Sequence, residues 1–197
     1  MILAARNAAA LAAAFLFVAA ALGADIEAGR KKAETICAAC HGAEGESTNP
    51  AVPSLSGQPA QFIATQLFMF REGNRKDEQM TPMAKPLSNA EMNNLAAYFA
   101  AQKPGPPRHQ SKPENVAAGP ALAKKFNCSQ CHGPQLMGQQ HIPRLAGQRY
   151  EYVRTQLLGF KAQKRFDMDG NMTAAAQLLS PEDIEILADY VAGLGAQ

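Results

Sequence analysis

The sequence predicts an all-α chain of two tandem domains, on three observations. The pentapeptide Cys37-Ala38-Ala39-Cys40-His41 recurs 91 positions later as Cys128-Ser129-Gln130-Cys131-His132. Other landmarks recur in the same order at nearly the same separation. Leu55-Ser56-Gly57-Gln58 returns as Leu145-Ala146-Gly147-Gln148 and Thr65-Gln66-Leu67 as Thr155-Gln156-Leu157 at an offset of 90; Met80-Thr81 returns as Met172-Thr173 and Leu87-Ser88 as Leu179-Ser180 at 92. No segment alternates apolar and polar residues with the period of two that a half-buried strand requires.

Taken in order, residues 25–37 hold helix formers with Ile26, Ala33 and Ile36 as apolar members, a short helix leading into the first pentapeptide. Gly29 within it is either a helix flaw or a place where another helix crosses closely. Residues 42–50 have loop chemistry throughout. A helix follows at about 59–71, with Phe62, Ile63, Leu67 and Phe70 at helical spacing. Polar residues 72–79 make a loop that delivers Met80-Thr81-Pro82-Met83. Ser88 with Glu91 three residues on is a capping box that opens a helix running to about residue 102. Four prolines and a glycine within 103–113 break regular structure, so 103–115 is read as a linker between a domain at 25–102 and another at 116–197. The last helix starts at Ser180-Pro181, a cap followed by proline at the first helical position.

Each pentapeptide places two thiols and an imidazole on one helical turn, because residues three and four apart share a face. Two thiols so spaced reach the two vinyl groups along one edge of a haem while the following histidine comes up under the iron. The pattern reads as c-type haem attachment, and two copies imply two haem c groups. A redox dithiol or half a zinc site explains the paired cysteines but not a histidine directly after both pairs. All four cysteines, Cys37, Cys40, Cys128 and Cys131, are consumed, and none remains for a disulfide. A haem held covalently also answers a size problem, since domains of about 80 residues bury too little surface to be comfortable alone.

The first 24 residues read as a secretory signal: Arg6 is the single charge, an alanine-rich apolar run covers 7–23, and cleavage is expected after Ala24. That run falls short of the ~20 apolar residues of a spanning helix, which leaves an uncleaved anchor as the weaker reading. Removing Arg6 from 19 basic against 17 acidic side chains leaves a formal charge of +1, so composition gives no reason for a nucleic-acid partner. Residues 25–102 carry net −2 and 103–197 net +3, an asymmetry suited to orienting the molecule on a charged redox partner.

A second strong iron ligand would restrict a haem to passing electrons, whereas an open face would admit a gas or peroxide. One methionine stands at the same place in each half: Met80, 39 residues after His41, and Met172, 40 after His132. Met83 competes with Met80 but has Ala175 opposite it in the second half. Met168 lies off the repeat register, and Met137 sits too close to His132 to cross the haem plane easily. His109 and His141 have no counterpart in the other half, which favours solvated or structural roles.

With these motifs, the duplicated Leu-x-Gly-Gln and the paired methionines, the chain resembles the dihaem cytochrome c4 family over nearly all of 25–197. The resemblance implies two class I cytochrome c folds, each with first and last helices crossing, and haems near the domain interface. It implies Gly29 and Tyr98 as a crossing pair; in the second half Pro120 takes the glycine's repeat position, with Gly119 one before it. It implies that Pro53 and Pro143 offer carbonyls to the ligand imidazoles. Family members carry electrons in the bacterial periplasm from a quinol-oxidising respiratory complex toward a terminal oxidase, and two-domain relatives serve as haem subunits of dehydrogenases. The expectation is therefore an electron carrier without a catalytic site, with haems tethered by the four cysteines, His41 and His132 as proximal ligands, Met80 and Met172 opposite them, and membrane association only peripheral or through partners. A haem subunit of a dehydrogenase complex and a catalytic haem protein with an open iron are the rivals.

Overall fold

The computed structural model describes residues 23–196, which leaves nearly all of the expected leader outside the described residues. It contains helices and, among those residues, no strand beyond an isolated bridge between Gln139 and Ile142. The first half comprises α1 (Ile26–Ile36), α2 (Ala38–His41), α3 (Ala60–Arg71), α4 (Met80–Ala84) and α5 (Asn89–Ala100). The second comprises α6 (Pro113–Lys125), α7 (Cys128–His132), α8 (Tyr150–Lys161), α9 (Asn171–Gln177) and α10 (Pro181–Ala192). In each half the first helix packs on the last, α1 on α5 and α6 on α10, and α3 and α8 pack on those same last helices. Met80-Thr81-Pro82-Met83, delivered by the polar loop at 72–79, forms the single-turn α4; proline is tolerated there because the first turn of a helix has no intrahelical use for its N–H.

The crossings are set by glycine. A Cβ on Gly29 would lie 2.1 Å from the Asn94 carbonyl oxygen on α5, and one on Gly119 would lie 2.2 Å from Tyr190 Cγ on α10. Gly29 is therefore a crossing residue and not a helix flaw. In the second half Gly119, buried, makes the crossing, and Pro120 faces outward within α6. The crossing glycine thus stands one residue farther from its motif than in the first half. Asn127 absorbs that extra residue in the left-handed conformation (φ 56°, ψ 26°) between α6 and α7, where Cys37 keeps right-handed values. Asparagine is one of the few side chains that visits this region readily. Both last helices open on capping boxes, Ser88 with Glu91 and Ser180 with Asp183, each cap contributing about 0.5–2 kcal/mol.

The core of the first half gathers Ile63, Leu87, Leu95 and Phe99, and that of the second Val153, Ile184, Leu187 and Val191. Residues 103–112 are non-helical and hydrogen-bonded to both halves. The Gly105 N–H donates to Glu46 Oε1 (3.0 Å), and His109 Nε2 donates to Asp189 Oδ1 (2.6 Å). Asp189, 5% exposed on α10, also accepts from the Lys112 N–H and Asn115 Nδ2, so one carboxylate ties the linker and the start of α6 to the last helix. His109 has the structural role expected of it and stacks on Tyr150 with ring centroids 4.9 Å apart.

Two outcomes follow from this packing. Gly119→Ala should destabilise the second half by about 1–3 kcal/mol through overpacking, whereas Pro120→Ala should be neutral or stabilising, as read by guanidinium unfolding. Burial alone would push the Asp189 carboxyl up, but His109, Asn115 and the Lys112 N–H outweigh it and hold it below its usual 3.8. A depressed carboxylate stabilises fully above 3.8 and loses that contribution as pH falls through its folded value. Asp189→Asn should therefore cost about 1–3 kcal/mol at neutral pH and show a smaller further loss on acidification than the parent, measured by thermal unfolding across pH.

Candidate functional site: a shared haem cavity

One continuous cavity of about 1260 Å³ runs through both halves and is bordered by both pentapeptides, including Cys37, Cys40, His41, Cys128, Cys131 and His132. Pockets for a single small ligand usually span ~300–1000 Å³, so this space exceeds one such site. All four cysteines are unpaired. Burial pushes the Cys37 thiol up to about 11 and raises that of Cys128 in the same direction.

The two histidines are fixed identically. His41 Nδ1 lies 2.9 Å from the Pro53 carbonyl oxygen and His132 Nδ1 lies 2.8 Å from that of Pro143. A carbonyl can only accept, so Nδ1 carries the proton in both rings and the Nε2 lone pair is left free. Burial lowers the pKa of both imidazoles, the carbonyl bonds only partly opposing it, which keeps them neutral and able to bind a metal.

Met80 and Met172 border the same cavity, each half-buried on its short helix. Both are held by an aspartate upstream: the Met80 N–H donates to Asp77 Oδ1 (2.8 Å), and the Met172 N–H donates to Asp167 Oδ2 (2.8 Å). Met83 and Met168 also border the cavity but are 40% and 68% exposed. Met137 packs in the core of the second half instead. His141 borders the cavity, 3.5 Å from Asp169 with about half of its side chain in solvent.

Between the halves the cavity wall carries cationic groups, Arg144 buried and Arg75 and Arg165 half-buried. Arg75 donates to Tyr152 Oη and Gln156 Oε1, and Arg165 from the other half donates to the same Gln156 oxygen. Burial, with Arg75 beside it, pushes the Arg165 guanidinium down to about 9. The Nε atoms of Arg144 and Arg165 are buried without a hydrogen-bond partner. A cavity with orphaned guanidinium N–H groups suits a large apolar group with anionic edges.

The Cytochrome c family profile matches residues 26–103 and again 116–195. The chain is 39% identical over 181 residues to cytochrome c4 of Thiocapsa roseopersicina, covering 86% of this chain and 93% of that one. The chain belongs to the dihaem cytochrome c4 family. The crystal structure of reduced recombinant cytochrome c4 from Pseudomonas stutzeri superposes with a TM-score of 0.80 at 34% identity, covering 86% of this chain and 98% of that one. The chain is also 36% identical over 168 residues to the thiosulfate dehydrogenase electron acceptor of Thiomonas intermedia, covering 79% and 77% respectively.

As a member of the dihaem cytochrome c4 family the chain is an electron carrier with two haem c groups, and its residues fit them. Unpaired thiols suit vinyl attachment, neutral imidazoles with free Nε2 suit iron, and the guanidiniums of Arg75, Arg144 and Arg165 at the cavity wall suit propionates. Asp77, Asp167, Arg75 and Arg165 escaped the sequence reading, although each pair sits at an offset of 90, inside the repeat register.

Replacing Cys128 and Cys131 together by alanine should halve the haem per polypeptide and lower the unfolding midpoint of the second half, read from haem absorbance against protein concentration and from thermal unfolding.

Proposed function

We propose that each haem is six-coordinate, with His41 and Met80 on the first iron and His132 and Met172 on the second, and that the protein passes electrons in the periplasm. The supporting observation is that both pentapeptides and the two repeat-related methionines border one cavity. Haem supplies reversible one-electron chemistry when bound; the chain supplies ligands, burial and a fixed separation. A thioether ligand beside an imidazole ligand would favour ferrous iron and a high potential. Neutral, carbonyl-bound His41 and His132 need no proton exchange on redox change. The domains are read as 25–102 and 116–197 joined by 103–115, following a leader at 1–24 removed on export. No helix among the described residues is long and apolar enough to cross a membrane.

The donor is read as a quinol-oxidising respiratory complex and the acceptor as a terminal oxidase. A second reading, acceptor subunit of a periplasmic dehydrogenase, is favoured by the likeness to a thiosulfate dehydrogenase electron acceptor. Turnover with quinol-oxidising bacterial membranes supports the first, and reduction by thiosulfate only in the presence of a tightly bound dehydrogenase supports the second.

Met80→Ala and Met172→Ala should each remove about half of the far-red charge-transfer band of methionine-ligated ferric haem, admit carbon monoxide to one reduced haem and lower that haem's potential. Loss of the band in Met83→Ala with its retention in Met80→Ala would reassign the first ligand.

A further inference from the structure

The Leu-x-Gly-Gln segments do more than mark the repeat. Gly57 and Gly147 hold positive φ (61° and 68°) and donate their N–H groups to the Phe99 and Val191 carbonyls at the ends of α5 and α10. That anchoring sends the next side chain, Gln58 or Gln148, across the domain boundary, where both are buried at 2% and 5% exposure. Gln58 Oε1 accepts from the Arg144 N–H (2.9 Å) and its Nε2 donates to the Arg144 carbonyl (3.0 Å). Gln148 reciprocates on the first half: its Oε1 accepts from the Ser54 N–H (2.8 Å), and its Nε2 donates to the Ser54 carbonyl (2.9 Å).

The Arg144 N–H belongs to the same peptide group as the Pro143 carbonyl, the group that accepts the His132 Nδ1 proton. The Ser54 N–H likewise shares a peptide group with the Pro53 carbonyl that accepts from His41. A peptide that donates at nitrogen while accepting at oxygen is polarised, and each bond strengthens the other. Two crossed relays result, one from Gln58 through peptide 143–144 to His132 and one from Gln148 through peptide 53–54 to His41.

We propose that Gln58 and Gln148 are positioning residues that tune the iron of the opposite domain, so that docking of each domain strengthens the other's proximal histidine as a ligand. This rests on the ligand roles given above to His41 and His132. A stronger carbonyl acceptor makes an imidazole more electron-donating and favours ferric iron. Removing a glutamine therefore raises the potential of the haem it does not belong to. The relays are unequal: Gln148 Oε1 also accepts from the Arg149 N–H (2.9 Å), which divides its acceptor strength, so the Gln58 relay has the larger effect.

The test is an NMR-followed redox titration of the full dihaem protein, in which each potential is assigned through that haem's own axial-histidine resonances. Hyperfine-shifted imidazole signals at both haems of the parent establish the ligation independently; their absence refutes the ligand reading and not the relay alone. Gln58→Met, similar in volume, should move the His132 Nδ1–H resonance upfield. It should also change the reduction equilibrium of the C-terminal haem threefold or more, about 28 mV upward at 59 mV per tenfold, with the N-terminal haem unmoved. Gln148→Met should give the mirror image at smaller amplitude. Equal shifts at both haems in either variant would mean that the glutamines only hold the domains together, and no shift at the opposite haem would equally overturn the proposal. If Gln58→Met does not fold, Gln58→Glu carries the test. It keeps an acceptor for the Arg144 N–H, so the His132 Nδ1–H resonance must stay at or downfield of its parent position, and an upfield move refutes the relay.

Discussion

The structure depends on one turn of helix that presents two thiols and an imidazole together. Cys37, Cys40 and His41, on and just before α2, border the same cavity as α3 and α5, and apolar side chains of those two helices line it while packing on one another. The same follows for α7, α8 and α10. The wall of the cavity is built from residues that also form the two small cores, Ile63, Leu87, Leu95 and Phe99 in one half and Val153, Leu187 and Val191 in the other. Domains of this size gain from a prosthetic group that completes the core, and covalent attachment keeps that core from dissociating.

Duplication adds a second constraint, because the single cavity crosses the boundary between the halves. The boundary is closed by polar atoms: reciprocal amide bonds from Gln58 and Gln148, and the fully buried Arg144, which donates to the Ser56 carbonyl of the opposite half (2.8 Å) and to the Ala146 carbonyl of its own. Buried polar groups are costly unless paired, which makes such a boundary geometrically strict. The linker is held as firmly, with Glu46 on one side and Asp189 on the other.

Local patterning made much of this legible. The pentapeptides, the capping boxes at Ser88 and Ser180 and the helical spacing of 59–71 are short-range signals, and each corresponds to an element in place. The crossing in the second half is harder to read, because the repeat register of the cysteines sets Pro120 opposite Gly29 and the compensating residue, Asn127, declares itself only through its backbone angles. The domain boundary was least visible of all. Gln58 and Arg144 are 86 residues apart, and a glutamine in a loop carries no local sign of being buried. The available hint was its recurrence as Gln148, in a segment that neither attaches haem nor belongs to a helix.

The central claim is one covalently held haem for each pentapeptide within a single folded unit. Intact-mass measurement of the denatured protein after extraction with acidified butanone tests it most directly. The pigment should stay with the polypeptide, and the mass should exceed that of the chain by two haem groups. Pigment passing into the organic phase, or a mass gain of a single haem, would contradict the account.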